Sequence, residues 1–298
     1  APNEPLFSDA AVALNRRDGS RIVGRERILT IEDAAGRPQQ QVELTGAIVA
    51  LVLDNDSQAI FVSTWERQGA TPDLRSGGRV LRLDALSGAV QAMSAPLARV
   101  GGLALDGSRL WVAETGADQL RLLDAETLSA AQTVNLAPAP WVVALDPAAR
   151  RVYVALAGSD EVALIDANNG DLLNRVALGG FGHPQALAVD TVGARLAVLF
   201  WRGPQYGEVT WLDGRSGAVL GGIAPTLAHP LAGAQALIFD PGANELLISD
   251  RMGLQRFSAA DGGYLGSQPA PLVTSPFGLA LDSSRQRLIS AAAVMGLR

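Results

Sequence analysis

The chain has 298 residues, of which 48% are apolar, and carries a formal net charge of −6. This composition supports the core of one large domain, and the negative charge argues against a nucleic-acid-binding surface, which requires clustered positive charge. All 24 basic residues are arginine and there is no cysteine, so lysine Schiff-base chemistry, thiol catalysis, disulfides and cysteine-ligated zinc are excluded. No apolar run reaches the roughly 18 residues of a membrane-spanning helix.

The chain begins at Ala1 with the segment APNEPLFSDA. A start of this kind is typical of a mature N terminus left after cleavage behind a small residue. We therefore expect an exported protein, periplasmic or extracellular. A trimmed N terminus is the alternative interpretation.

Two series of short apolar runs recur along the chain, each ending in an acidic residue. The first series predicts the first strand of a repeated unit and ends at Asp54, Asp106, Asp146, Asp190, Asp240 and Asp282. The second predicts the third strand and ends at Glu32, Asp84, Asp124, Asp166, Asp213 and, in a degraded copy, Ser258. Both series repeat every 40 to 52 residues. Because each acid comes just before a turn, we interpret the aspartates as turn caps rather than ligands.

The most regular copy of the unit runs from Pro138 to Gly180. It contains four runs of five to seven residues, WVVALD, RVYVAL, EVALID and LLNRVAL, separated by Pro, Gly, Asn and Asp. Runs this short between turn residues predict the strands of an antiparallel meander. Four strands in about 43 residues is the size of one blade of a β-propeller.

The repeats predict an all-β fold, a single β-propeller domain over residues 1–298 with four-stranded antiparallel blades. The predicted units are about 7–45, 46–97, 98–137, 138–180, 181–228 and 229–272, with a partial unit at 273–298. Because AVALN followed by DGSRIV parallels GLALD followed by GSRLWV, we favour seven blades, with the ring closed by the N- and C-terminal segments. The last blade then has two strands and must be completed by a partner or by further residues. Six blades, with one built from both chain ends, is the alternative.

The units LWVAETGADQLRLLD and VYVALAGSDEVALIDANNGDLL resemble YVTN/YncE-like and NHL-type propeller repeats. The shared features are an aromatic second strand, a polar turn, a third strand ending in Asp and a turn such as Asn169-Gly170. The resemblance covers Ala47 to Leu288. It implies architecture rather than activity, because such propellers include binders, scaffolds and enzymes. Bacterial members are often exported, which agrees with the expected localisation.

In a meander of this kind, the loops between strands two and three lie at the same end of the ring as the loops between units. Two of these loops are long, Thr64 to Gly78 and Phe200 to Glu208. Together with the adjacent inter-unit loops they carry the composition of interaction hot spots. The predicted binding residues are Trp65, Glu66, Arg67, Trp141, His183, Trp201, Arg202, Tyr206 and His229. Packing of the two loop tryptophans beneath their own loops is the alternative.

Catalytic motifs are absent from the sequence: it has no G-x-S-x-G, no H-E-x-x-H and no phosphate-binding glycine loop. We therefore predict a non-catalytic propeller without a cofactor, which binds a protein partner or supports a larger assembly, with no nucleic acid and no transmembrane segment. One rival is a metal-dependent lactonase or lyase using Ca²⁺ or Mg²⁺. Its ligands would come from Glu114, Asp160, His183, His229 and Asp250. A second rival is a small-molecule site at the mouth of the central channel.

Overall fold

The computed structural model describes residues 11–66, 77–179, 183–202, 206–226, 228, 230–270, 277–282, 287–290 and 294–296. These residues form seven antiparallel sheets, which we number as blades 1 to 7 in chain order. Apart from one turn of 3₁₀ helix at Thr115–Ala117, all the regular structure of the described residues is β. No helix among them has the length and apolar character needed to cross a membrane.

In every blade the strands pair with one another in sequence order, apart from one short extra strand in blade 2. The first three blades contain β1 (Ala11–Leu14), β2 (Arg21–Arg25), β3 (Ile28–Glu32), β4 (Pro38–Glu43); β5 (Ala47–Asp54), β6 (Ala59–Trp65), β7 (Gly77–Asp84), β8 (Val90–Met93), with the short β9 (Leu97–Ala98) also on β7; and β10 (Val100–Asp106), β11 (Arg109–Glu114), β12 (Gln119–Asp124), β13 (Ala130–Asn135). Blades 4 and 5 contain β14 (Pro140–Asp146), β15 (Arg151–Leu156), β16 (Glu161–Asp166), β17 (Leu172–Ala177); and β18 (Pro184–Asp190), β19 (Arg195–Arg202), β20 (Tyr206–Asp213), β21 (Val219–Ile223). Blades 6 and 7 contain β22 (Ala236–Asp240), β23 (Glu245–Asp250), β24 (Gly253–Ser258), β25 (Tyr264–Gln268); and β26 (Leu279–Asp282), β27 (Arg287–Ser290), β28 (Val294–Gly296).

The blades form a closed ring with the first strand of each blade innermost. Each first strand contacts the first strand of the next blade, from β1 and β5 through to β22 and β26, and β26 contacts β1. The amide of Val12 in β1 donates to the carbonyl oxygen of Phe277, 3.0 Å away, across the closure. The prediction of seven blades closed by the two terminal segments is therefore confirmed.

The structure decides between the two predicted blade numbers, and it shows one detail of the prediction to be wrong. Blade 1 is built from the N-terminal segment alone, so the six-blade alternative with a shared blade does not hold. Blade 7 contains a third strand, Val294–Gly296, where the sequence predicts two. Its residues VMG carry neither the Asp nor the turn residues that mark third strands elsewhere in the chain.

The acidic residues at strand ends cap turns, as their positions predict. Asp84, Asp124 and Asp213 each accept hydrogen bonds from the backbone N–H and hydroxyl of the Ser or Thr three residues later. These hydrogen bonds, led by the one from the backbone amide, hold the pKa of all three carboxyls below the usual value. The capping carboxylates are thus committed to local backbone groups.

Neighbouring blades are joined by hydrogen bonds as well as by apolar packing. The hydroxyl of Tyr153 in blade 4 donates to the carbonyl oxygen of Gly214 in blade 5, 2.7 Å away. The Ser63 hydroxyl in blade 2 donates to the carbonyl oxygen of Gly101 in blade 3 at 2.8 Å. All these groups lie in the interior, where a lost partner leaves a polar group unpaired. The blades consequently form one packed unit.

Candidate functional site

An aromatic cluster closes the centre of the ring at one end. We call this end the upper face; it carries the loops between strands two and three and the loops between blades. Trp141 of β14 lies with its ring centroid 5.9 Å from that of Trp65 and 6.0 Å from that of Phe277. These three residues belong to blades 4, 2 and 7, which are not neighbours in the ring. Trp141 must therefore reach across the ring axis, and it is only 8% exposed.

Glycines at the start of β10 make room for this cluster. A Cβ on Gly101 would lie 2.5 Å from the carbonyl oxygen of Trp141, and one on Gly102 would lie 3.0 Å from the Phe277 ring. Both distances are shorter than ordinary van der Waals contact, so a side chain at either position would displace the aromatic rings. The guanidinium of Arg99 lies 4.8 Å from the centre of the Trp65 ring, on its face, a cation–π arrangement.

The two loop tryptophans hold adjacent blades together. The indole N–H of Trp65 donates to the carbonyl oxygen of Val100 at the start of blade 3, 2.5 Å away. The indole N–H of Trp201 donates to the carbonyl oxygen of Ala234, just before blade 6, at 2.8 Å. Both residues stand at the end of a second strand and are half-buried. Their polar atoms are thus bound to main-chain carbonyls within the ring.

Tyr206 is the exposed aromatic residue of the blade 5 hairpin. The strands β19 and β20 run for eight residues each, and Tyr206 pairs with Arg202 at the end of the ladder. A β-bridge joins Tyr206 to Ala232, and the amide of Gly207 donates to the Leu231 carbonyl oxygen at 2.9 Å. The hairpin is thereby fixed to the loop before blade 6. Tyr206 itself remains 49% exposed.

The other predicted binding residues are distributed around this face. Glu66 accepts a hydrogen bond from the Nε of Arg79 at 2.8 Å. His183 is exposed, with its Nδ1 3.5 Å from an oxygen of Asp160. Arg67 and His229 lie outside the described residues.

Comparison with known proteins identifies the architecture. No family model matches the chain, and no curated protein matches it. Among solved structures, the chain is similar to Kuenenia stuttgartiensis hydrazine synthase, with a TM-score of 0.80 over 98% of this chain and 96% of that chain. The fold is a seven-bladed β-propeller. At 14% sequence identity the likeness concerns the fold alone.

The propeller separates the carboxylates of the metal-site alternative. Glu114 in blade 3 is 4% exposed; it accepts a hydrogen bond from the amide of Ala98 at 2.8 Å and forms an ion pair with Arg121 at 2.6 Å. Asp160 lies on blade 4 and Asp250 on blade 6. Across the described part of the chain, no three acidic or histidine side chains come together in a way that could hold a metal ion.

Asp250 is a buried acid of the upper face for which the described residues supply no ionic partner. It is 1% exposed, and its Oδ2 has no hydrogen-bond partner among the described residues. Its Oδ1 accepts from the amide of Met252 at 2.8 Å and from Gln255 at 3.3 Å. Gln255 in blade 6 stands where Arg121 stands in blade 3. Gln255 pairs with Ile248, two residues before Asp250, and Arg121 pairs with Val112, two residues before Glu114. Burial raises the pKa of Asp250 against the effect of these hydrogen bonds.

We expect Asp250→Asn to stabilise the propeller at neutral pH. An unfolded chain loses the Asp250 proton near the ordinary pKa of about 4, whereas the folded protein retains it to higher pH. Wild-type stability must therefore fall relative to the variant as pH rises from about 4 through the folded pKa. Urea unfolding of both proteins across this range measures the difference. A difference that is constant with pH would contradict a raised pKa.

Sequence reasoning missed two members of the upper-face cluster. Phe277 is part of SPFGLALD, where it reads as the start of a first strand. Arg99 precedes β10 without any motif. The sequence signal for this cluster was the pair Gly101-Gly102, because adjacent glycines inside a strand indicate close approach of another group. The tryptophans Trp65 and Trp141 on the same face were a second signal.

Proposed function

We propose that this propeller is a non-catalytic, exported protein that binds a protein partner, or stabilises a larger assembly, through its upper face. The supporting observation is the blade 5 hairpin, which presents the exposed Tyr206 in a fixed backbone frame. Tyr is enriched among residues that dominate binding energy, and a fixed loop loses little conformational entropy on binding.

The remaining upper-face residues define the surroundings of Tyr206. Trp65 and Trp201 use their indole N–H groups within the ring. We therefore assign them to the support of this face, and assign direct contact with the partner to Tyr206. This refines the hypothesis that the tryptophans themselves are the binding residues.

Tyr206→Ala is expected to weaken partner binding at least about tenfold while leaving the fold intact. The test is affinity purification of tagged protein from its native source, with the bound partner quantified by mass spectrometry. Val192→Ala is the matched control, because Val192 is an exposed residue of the same blade in the turn between strands one and two, at the opposite end of the ring. Equal recovery of every partner by Tyr206→Ala and wild type would refute the proposal.

Addition of Ca²⁺, Mg²⁺ or EDTA distinguishes the metal-dependent alternative. A metal that binds only the folded propeller must raise its melting temperature. Under our proposal the melting temperature is unchanged by each addition. A rise with one metal that Asp160→Asn or Asp250→Asn abolishes would favour the enzyme instead.

A further inference from the structure

The outer grooves between blades lie at the lower face, opposite the proposed binding face. Each groove is bounded by the fourth strand of one blade and by the turn between the third and fourth strands of the next. In each of six blades, a β-bulge marks the start of the fourth strand, and the residue after the bulge is paired with the third strand. These equivalent residues are Gln40, Ala92, Gln132, Asn174, Gly221 and Gly266.

A side-chain amide bonds to the facing turn in two of these grooves, and a glutamine occupies the equivalent position in a third. Gln132 donates from its Nε2 to the carbonyl oxygen of Asn169 in the blade 4 turn, 2.6 Å away. Asn174 donates from its Nδ2 to the equivalent carbonyl, that of Ser216 in blade 5, at 2.9 Å. In the groove between blades 1 and 2, Gln40 lies beside the turn glycine Gly88. The Cγ of Gln40 is 3.6 Å from the position that a Cβ on Gly88 would take.

The groove between blades 2 and 3 is filled from the opposite side. Blade 2 has the small Ala92 at the equivalent position, and the turn of blade 3 has Leu128 in place of glycine. Leu128 is 1% exposed and packs in the same cluster as Ala92. Its φ of 57° shows that a leucine is tolerated at this point of the turn.

The groove between blades 5 and 6 is open. Gly221, with φ of 142°, has no neighbouring atom within 4 Å of the place of a Cβ. A Cβ added to the turn residue Gly262 would have only two neighbouring atoms within 4 Å. These are a side-chain carbon of Ile223 at 3.3 Å and the carbonyl oxygen of Gly222 at 3.5 Å. A cavity of about 140 Å³ results. For comparison, an engineered cavity of roughly 150 Å³ in another protein takes up benzene.

The walls of this cavity combine apolar and polar groups. Trp211 stands opposite Gly221 in the ladder and carries the Arg195 guanidinium 4.7 Å from its ring centre. The indole N–H of Trp211 is buried without a partner in the described part of the chain. The Asp261 carbonyl stands in the blade 6 turn at the position that the carbonyls of Asn169 and Ser216 occupy in blades 4 and 5, directly before the turn glycine. Exposed apolar side chains stand beside the cavity or on the adjacent fourth strand: Val219, Leu220, Tyr264 and Leu265.

We propose that this groove binds a glutamine or asparagine side chain carried by an extended segment of a partner protein. The amide N–H of the partner donates to the Asp261 carbonyl oxygen, as Gln132 and Asn174 do within the chain, while its aliphatic part contacts Trp211. The exposed apolar side chains receive the flanking residues of the segment. A carboxylate cannot donate this hydrogen bond and would face a carbonyl oxygen, so the groove discriminates Gln from Glu. The proposal is independent of the upper face.

The test uses a peptide with the sequence of residues 130–134, AAQTV, acetylated and amidated at its ends, and a matched peptide with Glu in place of Gln. Titration into ¹⁵N-labelled protein is expected to shift the Trp211 indole signal and the backbone amides of Gly221, Gly222 and Gly262. We expect a dissociation constant near or below about 1 mM for the Gln peptide and binding at least about tenfold weaker for the Glu peptide.

Gly262→Leu should abolish these shifts by copying the filling of the blade 2–3 groove by Leu128. Its folding is checked by the pattern of the remaining amide signals, and the Gln/Glu comparison in wild type stands even where the variant does not fold. Equal binding of the two peptides, shifts confined to other residues, or no shift at millimolar Gln peptide would each overturn the proposal.

Discussion

Replacing Trp141 with Ala is expected to lower the free energy of unfolding by about 3–5 kcal/mol. The indole lies at the ring axis and packs between the rings of Trp65 and Phe277. These two residues belong to blades 2 and 7, which are not adjacent in the ring. Its removal leaves a cavity that the fixed backbone around Gly101 and Gly102 can close only partly. Equilibrium unfolding in urea, followed by circular dichroism, measures the loss.

Trp141→Phe is the matched variant for this prediction. It keeps an aromatic ring in the cluster and should cost clearly less than Trp141→Ala, because less volume is removed. If Trp141→Ala unfolded at the same midpoint urea concentration as the wild type, Trp141 would not be the residue that fills the ring axis. The same result would reopen the possibility of a ligand in the channel mouth.

Replacing Arg150 with Met should lower the free energy of unfolding by about 1–3 kcal/mol. Arg150 reaches from blade 4 to Asp106 in blade 3 with two hydrogen bonds, of 2.7 and 3.0 Å. Arg109 also pairs with Asp106, so the carboxylate keeps one partner in the variant. Arg37→Met is the control: the pair of Arg37 with Asp33 is more exposed, and its loss should cost no more than about 0.5 kcal/mol.

The cost of Arg150→Met should depend on pH. Burial alone would raise the pKa of Asp106, but the hydrogen bonds from Arg150 and Arg109 outweigh it and hold the pKa below its usual value. This stabilisation is present above the unfolded pKa of about 4 and is lost as pH falls through the folded pKa. The difference between wild type and variant should therefore shrink in acid. A cost that persists unchanged at low pH would show that packing, not the ion pair, is lost.

The architecture could be predicted from the sequence because its signals are repeated. A turn-capping Asp at the end of two strands per unit, spaced by 40 to 52 residues, identifies each blade without knowledge of long-range contacts. The third strand of blade 7 was missed because it carries neither that Asp nor a following turn motif. Where the local signal fails, only pairing with Arg287–Ser290 reveals the strand.

The sites depended on contacts between distant residues, which the sequence does not display. Trp65 and Trp141 were identified as notable aromatics of one face, but the tilted contact between their rings depends on how blades 2 and 4 are placed. Asp250 and Glu114 looked equivalent as candidate ligands. Only the strand ladders show that Arg121 neutralises Glu114 while Gln255 stands at the corresponding position beside Asp250.

The repeated β-bulge at the start of the outermost strand has a consequence for the behaviour of the protein at high concentration. The last strand of a sheet offers free backbone groups to any other extended chain, and flat edges of this kind promote aggregation. A bulge bends the strand and increases its twist, so that two such edges cannot align over their length. Six bulges at equivalent positions thus protect the rim of the ring from edge-to-edge association, without any lysine at those edges.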